Sequence, residues 1–303
     1  MSARAEVVLV GRATVSGLGL GRVGLHAAAV ALAAVFMAPF LFTISVSLKA
    51  PTELYALPPV LIPAQPRWSN YVDVWSFRGI PFATFYQNSV LIAVAATLGN
   101  LFASTLSAYG FARFRWRGRD FVFMVLLSTL VLPEEVVIIP KFLMFHLVPQ
   151  ALFGATWIDT WWPLILPAWV GGRAFDVFLL RQFLLQIPRE MDEAAVLDGA
   201  GYWQILFRVL LPLAKPAIAA VAIFSFLNHW NDFIHPLIYL STKDKFPLSV
   251  GLRWFQQQPS DPTEPREHML MAAALLMALP CIAIFFSMQR YFVRGIVLSG
   301  LKG

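Results

Sequence analysis

Two groups of residues in this chain could do chemistry. The first consists of polar side chains set inside stretches otherwise suited to hydrocarbon: Glu134 and Glu135, Arg173 and Asp176, and the run Asn228, His229, Trp230, Asn231, Asp232. Ionisable groups at membrane depth are costly and mark function by default. Carboxylates and amides can share hydrogen bonds with solute hydroxyls, and the Trp230 indole could stack on a sugar face. The alternative is that these groups pair with each other to fix helix packing, Glu134 or Glu135 with Arg173 being one such pair. His229 reads as a packed or interfacial histidine.

The second group is a polar segment, Glu193-Ala194-Ala195-Val196-Leu197-Asp198-Gly199, followed by Val209-Leu210-Leu211-Pro212. Pro188 suits the first turn of a helix. Glu190, Asp192 and Glu193 place negative charge where the helix dipole favours it. Gly199 can take the left-handed conformation that ends the helix, and Gly201 allows a sharp turn. A second helix then begins at Tyr202, with Trp203, Leu206 and Phe207 on about one face. A short helix with a small-residue face, in water between membrane spans, can seat in a groove on a partner. The alternative is an amphipathic loop lying on lipid headgroups.

Other chemistries find no support. Gly19-Leu20-Gly21-Arg22-Val23-Gly24 fits the dinucleotide fingerprint, but it leads straight into an apolar run with no strand before it. The chain has no phosphate-binding G-x-x-x-x-G-K-[ST] motif, so it is not its own ATPase of that type. No metal site is expected: the five histidines are scattered, and the one cysteine, Cys281, lies in an apolar run. The net charge of +6 could suggest nucleic acid, but the basic residues sit in short loops between apolar runs, so no nucleic-acid partner is expected.

The elements that must position these residues are membrane helices. The chain is 58% hydrophobic and 13% charged, against roughly 25% charged in soluble domains. Six stretches approach or exceed the roughly 20 residues a spanning helix needs: 25–46, 89–109, 121–145, 161–185, 214–240 and 269–286. The first is too long for the apolar region of a signal peptide and reads as a retained span. Fifteen of the 23 Lys and Arg fall on one side if the N-terminus is inside. Four of them, Arg113, Arg115, Arg117 and Arg119, crowd one short loop. Positive charge favours the cytoplasm, so both termini and the Glu193 segment are expected there. The opposite connections are rich in proline, with five in 51–66. They could dock an extracytoplasmic protein or simply connect spans. The expected fold is all-α and polytopic, with a tail over 1–24 and one transmembrane domain over 25–303.

The spacing of Glu193-Ala194-Ala195, Gly199 and Leu211-Pro212 resembles the coupling loop of permease subunits in ATP-binding-cassette (ABC) importers, here about 187–212. The likeness runs from about Asn88 to Gly303. It includes Trp230-Asn231-Asp232-Phe233 with Pro236-Leu237 as a polar break in the fifth span, Leu132-Pro133 and Ile139-Pro140 as a proline-broken third span, and the tail from Gln289 to Gly295 ending Leu301-Lys302-Gly303. It is similar to the six-span, maltose-type carbohydrate permeases. Val209 departs conservatively from the Ile usual there.

The resemblance implies a non-catalytic subunit of the bacterial inner membrane that works by alternating access. Its implied partners are ABC ATPase subunits, which would bind the ATP and Mg, a second and different permease, an extracytoplasmic solute-binding protein, and lipid. The implied solutes are sugars, oligosaccharides or glycerol phosphates. The implied ATPase-coupling residues are Glu193, Ala194, Ala195, Asp198, Gly199 and Pro212. The solute-path candidates are Glu134, Asn228, Trp230, Asn231 and Asp232. Two rivals are an ion-coupled secondary transporter using Glu134, Glu135 or Asp232, and an intramembrane enzyme using Glu134, Glu135 and His229. Both leave the 193–212 pattern unexplained.

Overall fold

A computed structural model describes residues 18–76, 81–257 and 266–300, with side chains described for 23–76, 81–257 and 266–287. Most of the proposed N-terminal tail, the centre of the Pro-rich stretch before Glu267, and Leu301-Lys302-Gly303 lie outside the described residues.

The described residues are helical and contain no strand. In chain order the α-helices are α1 (Leu18–Ser47), α2 (Asn70–Asp73), α3 (Phe82–Arg113), α4 (Arg119–Ser128), α5 (Glu134–Phe153), α6 (Trp162–Trp169), α7 (Ala174–Gln186), α8 (Glu190–Leu197), α9 (Tyr202–Gln204), α10 (Leu211–Leu213), α11 (Lys215–Asn231), α12 (Ile234–Tyr239), α13 (Leu248–Gln257) and α14 (Glu267–Gly300). A π-helical turn, Ile205–Leu210, joins α9 to α10. Gly19 to Gly24 lie within α1, so no phosphate-cradling loop forms there.

Among the described residues, five helical segments are long and apolar enough to cross a membrane: Val23–Ser47, Phe82–Arg113, Glu134–Phe153, Trp162–Gln186 and Glu267–Ser287. A sixth is counted if Tyr202–Leu213 and Lys215–Asn231, bent by 83° at their junction, form one span. The third differs from the expected 121–145. Proline disfavours helical backbone in the residue before it, and Leu132, before Pro133, is extended at ψ 119°. The apolar run is therefore cut, and α5 restarts at Glu134 and continues to Phe153.

The centre of the bundle is α3, which packs against α6, α7 and α11. Ala93, Ala96, Ala103, Ala108 and Ala112 are buried along it. Small side chains let neighbouring backbones approach closely where lipid supplies no hydrophobic drive between helices. At Gly99 a Cβ would lie 2.3 Å from the Trp169 ring, whose Nε1 donates to the Ala95 carbonyl at 3.1 Å. By contrast, α1 packs on α14 and leaves most of its apolar surface open, as a lipid-facing helix should.

Contacts between connecting segments sort them into two ends. Arg113 meets Asp192 and the Ile187 carbonyl at one end. At the other, Asp159 meets Ser241, Thr242 and Lys245, and Tyr55 meets Glu267. The loop after α3 and the segment around Glu193 therefore share one end.

Candidate functional site: a coupling elbow and a polar cavity

The elbow begins at Pro188, which precedes the N-cap Arg189 rather than occupying the first turn of α8 as expected. Glu190, Asp192 and Glu193 do sit in that first turn. The helix ends in a Schellman motif: Gly199 N–H donates to Val196 O and Ala200 N–H to Ala195 O, both at 2.9 Å. Gly199 has φ +82°, and no atom lies within 4 Å of where a Cβ would be. Backbone sign alone, not crowding, therefore selects glycine there. Gly201 has φ −78° and needs no such freedom; its N–H donates to Gln204 Oε1 at 2.9 Å.

The second helix departs from the expected face. Leu206 is fully buried, together with Ile205 and Leu210, in a cluster with Ala108, Val177, Leu180 and Leu184. Trp203 and Phe207 stack on each other and remain exposed. The π-helical turn over Ile205–Leu210 changes the angular spacing, so three-residue spacing no longer places Leu206 beside Trp203.

Of the predicted coupling residues, Glu193, Ala194, Asp198, Gly199 and Pro212 are exposed, while Ala195 is half-buried against the core. Leu197 is 88% exposed, and Val196, Tyr202, Trp203 and Phe207 are also open. The elbow thus concentrates exposed apolar side chains in one short segment.

Sequence reasoning missed how this elbow is held. Arg113, at the last turn of α3, places Nε 3.0 Å from Asp192 Oδ2 and donates through Nη2 to the Ile187 carbonyl at 3.0 Å. The Tyr109 hydroxyl donates to the Tyr202 carbonyl at 3.1 Å. Burial pushes the Asp192 carboxyl above its ordinary range, and Arg113 and Arg189 offset only part of that. In the sequence, Arg113 signalled only which side its loop faces.

Further along the bundle, breaks in three helical runs meet. Leu132-Pro133 interrupts the third, Val170 to Arg173 separates α6 from α7, and Asp232-Phe233 separates α11 from α12. Around them lies a cavity of about 780 Å³, lined by Glu134, Glu135, Arg173, Asp176, Asn228, Asn231, Asp232 and His235 among others. Four of the five predicted path residues therefore share one space.

The fifth is a correction. Trp230 is 1% exposed, stacks on Phe226, meets Tyr86 edge-on and donates Nε1–H to the Met277 carbonyl at 3.0 Å. Its ring has no free face for a sugar. At helical spacing, a residue between Asn228 and Asn231 can turn inward while they turn out, so the polar run concealed its direction.

The Glu134 or Glu135 pairing with Arg173 is also absent: the described ion pairs are Arg113–Asp192, Arg119–Asp120, His235–Asp232 and Lys245–Asp159. Arg173 is held through its backbone, donating N–H to Asn100 Oδ1 at 3.0 Å. The same Asn100 donates Nδ2 to Asp176 Oδ2 at 2.7 Å. Asn231 donates to the Leu227 carbonyl at 2.8 Å, and His229 Nδ1 lies 2.7 Å from the Ser225 carbonyl, the packed role expected for it. Glu134 and Glu135, at the start of α5, remain open to the cavity. No cluster of metal-ligating side chains occurs among the described residues.

Known proteins resemble this chain over most of its length. The permease protein AraQ of the arabinooligosaccharides transport system of Halalkalibacterium halodurans is 33% identical over 276 residues, covering 90% of this chain and 93% of that protein. The permease protein UgpE of the sn-glycerol-3-phosphate transport system of Yersinia enterocolitica is 33% identical over 252 residues, covering 82% and 86%. Among solved structures, a chain of a bacterial ABC transporter that imports the acidic polysaccharide alginate superposes with TM-score 0.77 at 23% identity, covering 93% of this chain and all of that one. At that identity the likeness speaks for fold. Residues 81–298 match the family described as the inner membrane component of binding-protein-dependent transport systems, and the chain belongs to that family: it is an inner-membrane permease of an ABC importer.

Proposed function

We propose that this permease carries a carbohydrate or a related polyol such as a glycerol phosphate, and that a separate ATPase drives it through the elbow at about 187–212. The observation that carries this is the elbow itself. It offers an open apolar surface while Arg113 and Tyr109 tie it to α3. Relatives named for arabinooligosaccharide and glycerol-phosphate transport support the solute class.

The mechanical path follows from the packing. A partner that grips α8 and closes on ATP moves α8 and α9 as one piece, because the Schellman turn and the Gly201–Gln204 bond fix their angle. Arg113 and Tyr109 pass the displacement to α3. In turn α3 bears on α6, α7 and α11, whose broken ends line the cavity. Packed elements of this kind have discrete arrangements rather than continuous ones. The cavity would therefore open alternately to each side. Glu134, Glu135 and Asn228, which make no described hydrogen bond or ion pair within the protein, suit a solute dense in hydroxyls. A second permease subunit would supply the facing half, and an extracytoplasmic binding protein would deliver the solute. On this reading ATP and Mg belong to the partner, and the elbow end and both termini face the cytoplasm.

The test is Glu193→Lys in the assembled importer. The side chain is exposed, so stability should change by no more than about 1 kcal/mol. ATP-driven uptake into proteoliposomes should fall at least tenfold. Normal ATP-driven uptake, or wild-type uptake that needs an ion gradient and no ATP, would defeat the proposal.

A further inference from the structure

A second polar concavity lies at the elbow end, away from the solute cavity. It has a volume of about 450 Å³ and is lined by Arg115, Arg119 and Arg189 together with Trp116, Asp120 and Phe121. Three arginines and one aspartate line it, an excess of two positive charges. Asp120 is already engaged with Arg119 at 2.8 Å. Arg115 and Arg189 are exposed and belong to none of the described ion pairs. Guanidinium groups converging on one space suit a phosphate oxyanion. The first turn of α4 adds backbone donors, since its N-cap Gly118 has no capping side chain.

The surroundings indicate where that phosphate comes from. Phe121 lines the pocket and opens an apolar strip along α4 in which Phe121 is 66% and Met124 62% exposed, with Val122 and Val125 beside them. Trp116, also exposed, sits at the rim, as aromatic residues do at headgroup level. A pocket that is cationic at one edge and runs into lipid-facing hydrocarbon at the other fits a molecule with an anionic head and acyl tails.

We infer that this pocket binds the phosphodiester headgroup of an anionic phospholipid. The lipid bridges the α3–α4 turn to Arg189, the N-cap of the coupling helix α8. A bound headgroup thereby steadies the elbow against the bilayer surface, independently of which solute crosses.

The test uses the full-length protein in detergent, titrated with phosphatidylglycerol or phosphatidylcholine and read by native mass spectrometry. The wild type should retain phosphatidylglycerol in preference to phosphatidylcholine. The double variant Arg115→Gln/Arg189→Gln should lose that preference by about tenfold or more. Arg117→Gln, next to the pocket but not lining it, should keep it. Arg115→Lys/Arg189→Lys, which preserves charge, should fold as the wild type and retain part of it. Equal retention of the two lipids overturns the inference, as does an equal loss in Arg117→Gln, which would indicate general surface charge. Displacement of phosphatidylglycerol by millimolar inorganic phosphate would assign the pocket to a free anion and overturn the lipid assignment.

Discussion

The elbow and the cavity are built on opposite plans. The elbow is contiguous: within about 25 residues the chain supplies its own acidic helix start, its left-handed stop and its turn. Its face carries exposed Val196, Leu197, Tyr202, Trp203 and Phe207. The cavity is assembled from α5, α7, α11 and α12, with Asn100 of α3 orienting Arg173 and Asp176 from behind. A local device can be changed at one residue with small effect on the fold. A convergent device depends on how closely the helices behind it can pack.

Two glycines put that contrast at its sharpest. Both have positive φ, +75° at Gly172 and +82° at Gly199, but at Gly172 a Cβ would lie 2.7 Å from the Ser104 backbone. The largest expected effect is therefore Gly172→Ala. Left-handed backbone and forced overpacking should together cost about 2–5 kcal/mol, read as unfolding in detergent, with loss of transport because α7 is displaced. Stability unchanged to within experimental error would show that the cavity does not depend on close packing of Gly172 against α3.

Next comes the tie between the regions. Arg113→Ala leaves Asp192 half-buried without its partner and should cost about 3 kcal/mol. It should also uncouple partner ATPase activity from uptake. If the variant transports normally, motion does not pass through this pair. Gly199→Ala should be milder, about 1–2 kcal/mol from backbone sign alone. Its transport defect should exceed its stability defect, because the angle between α8 and α9 sets how the elbow meets its partner. The reverse ranking of the two glycines in unfolding experiments would refute the distinction between local and convergent construction.

The smallest effect lies at the far end. Asp159 has φ 58° and accepts from the Ser241 and Thr242 N–H groups, the Thr242 hydroxyl and Lys245. Burial pulls its pKa upward, but these hydrogen bonds outweigh that and hold the carboxyl well below the ordinary range. Depressed in the fold, it adds stability that is complete above its unfolded pKa of about 3.9 and is lost as pH falls toward the folded value. Thermal unfolding between pH 7 and 3 should therefore show an acid-side loss that Asp159→Asn lacks. Identical profiles would remove Asp159 from the account.

Legibility in the sequence followed the same division. The α8 stop at Gly199, the acidic first turn and the break at Asp232 could be read from neighbouring residues, because each is decided within one or two turns. The break at Pro133 was visible, but not that α5 would restart at Glu134 and run on to Phe153. Trp230 was misread because its polar neighbours suggested a lining, whereas its direction depended on Tyr86 and Met277 from elsewhere in the chain. Arg113 showed the sidedness of its loop and nothing of its partner Asp192, 79 positions away.

The chain alone determined that this is an all-helical membrane protein with a short acidic helix that stops at Gly199. Hydrocarbon admits only long apolar helices in such a composition, and short-range backbone preferences fix where they start and stop. Only the tertiary structure decided which polar groups share a cavity, that Trp230 turns away from it, and that α3 ties cavity to elbow. Those outcomes depend on helix rotation and close approach, set by small residues packing against side chains many turns distant.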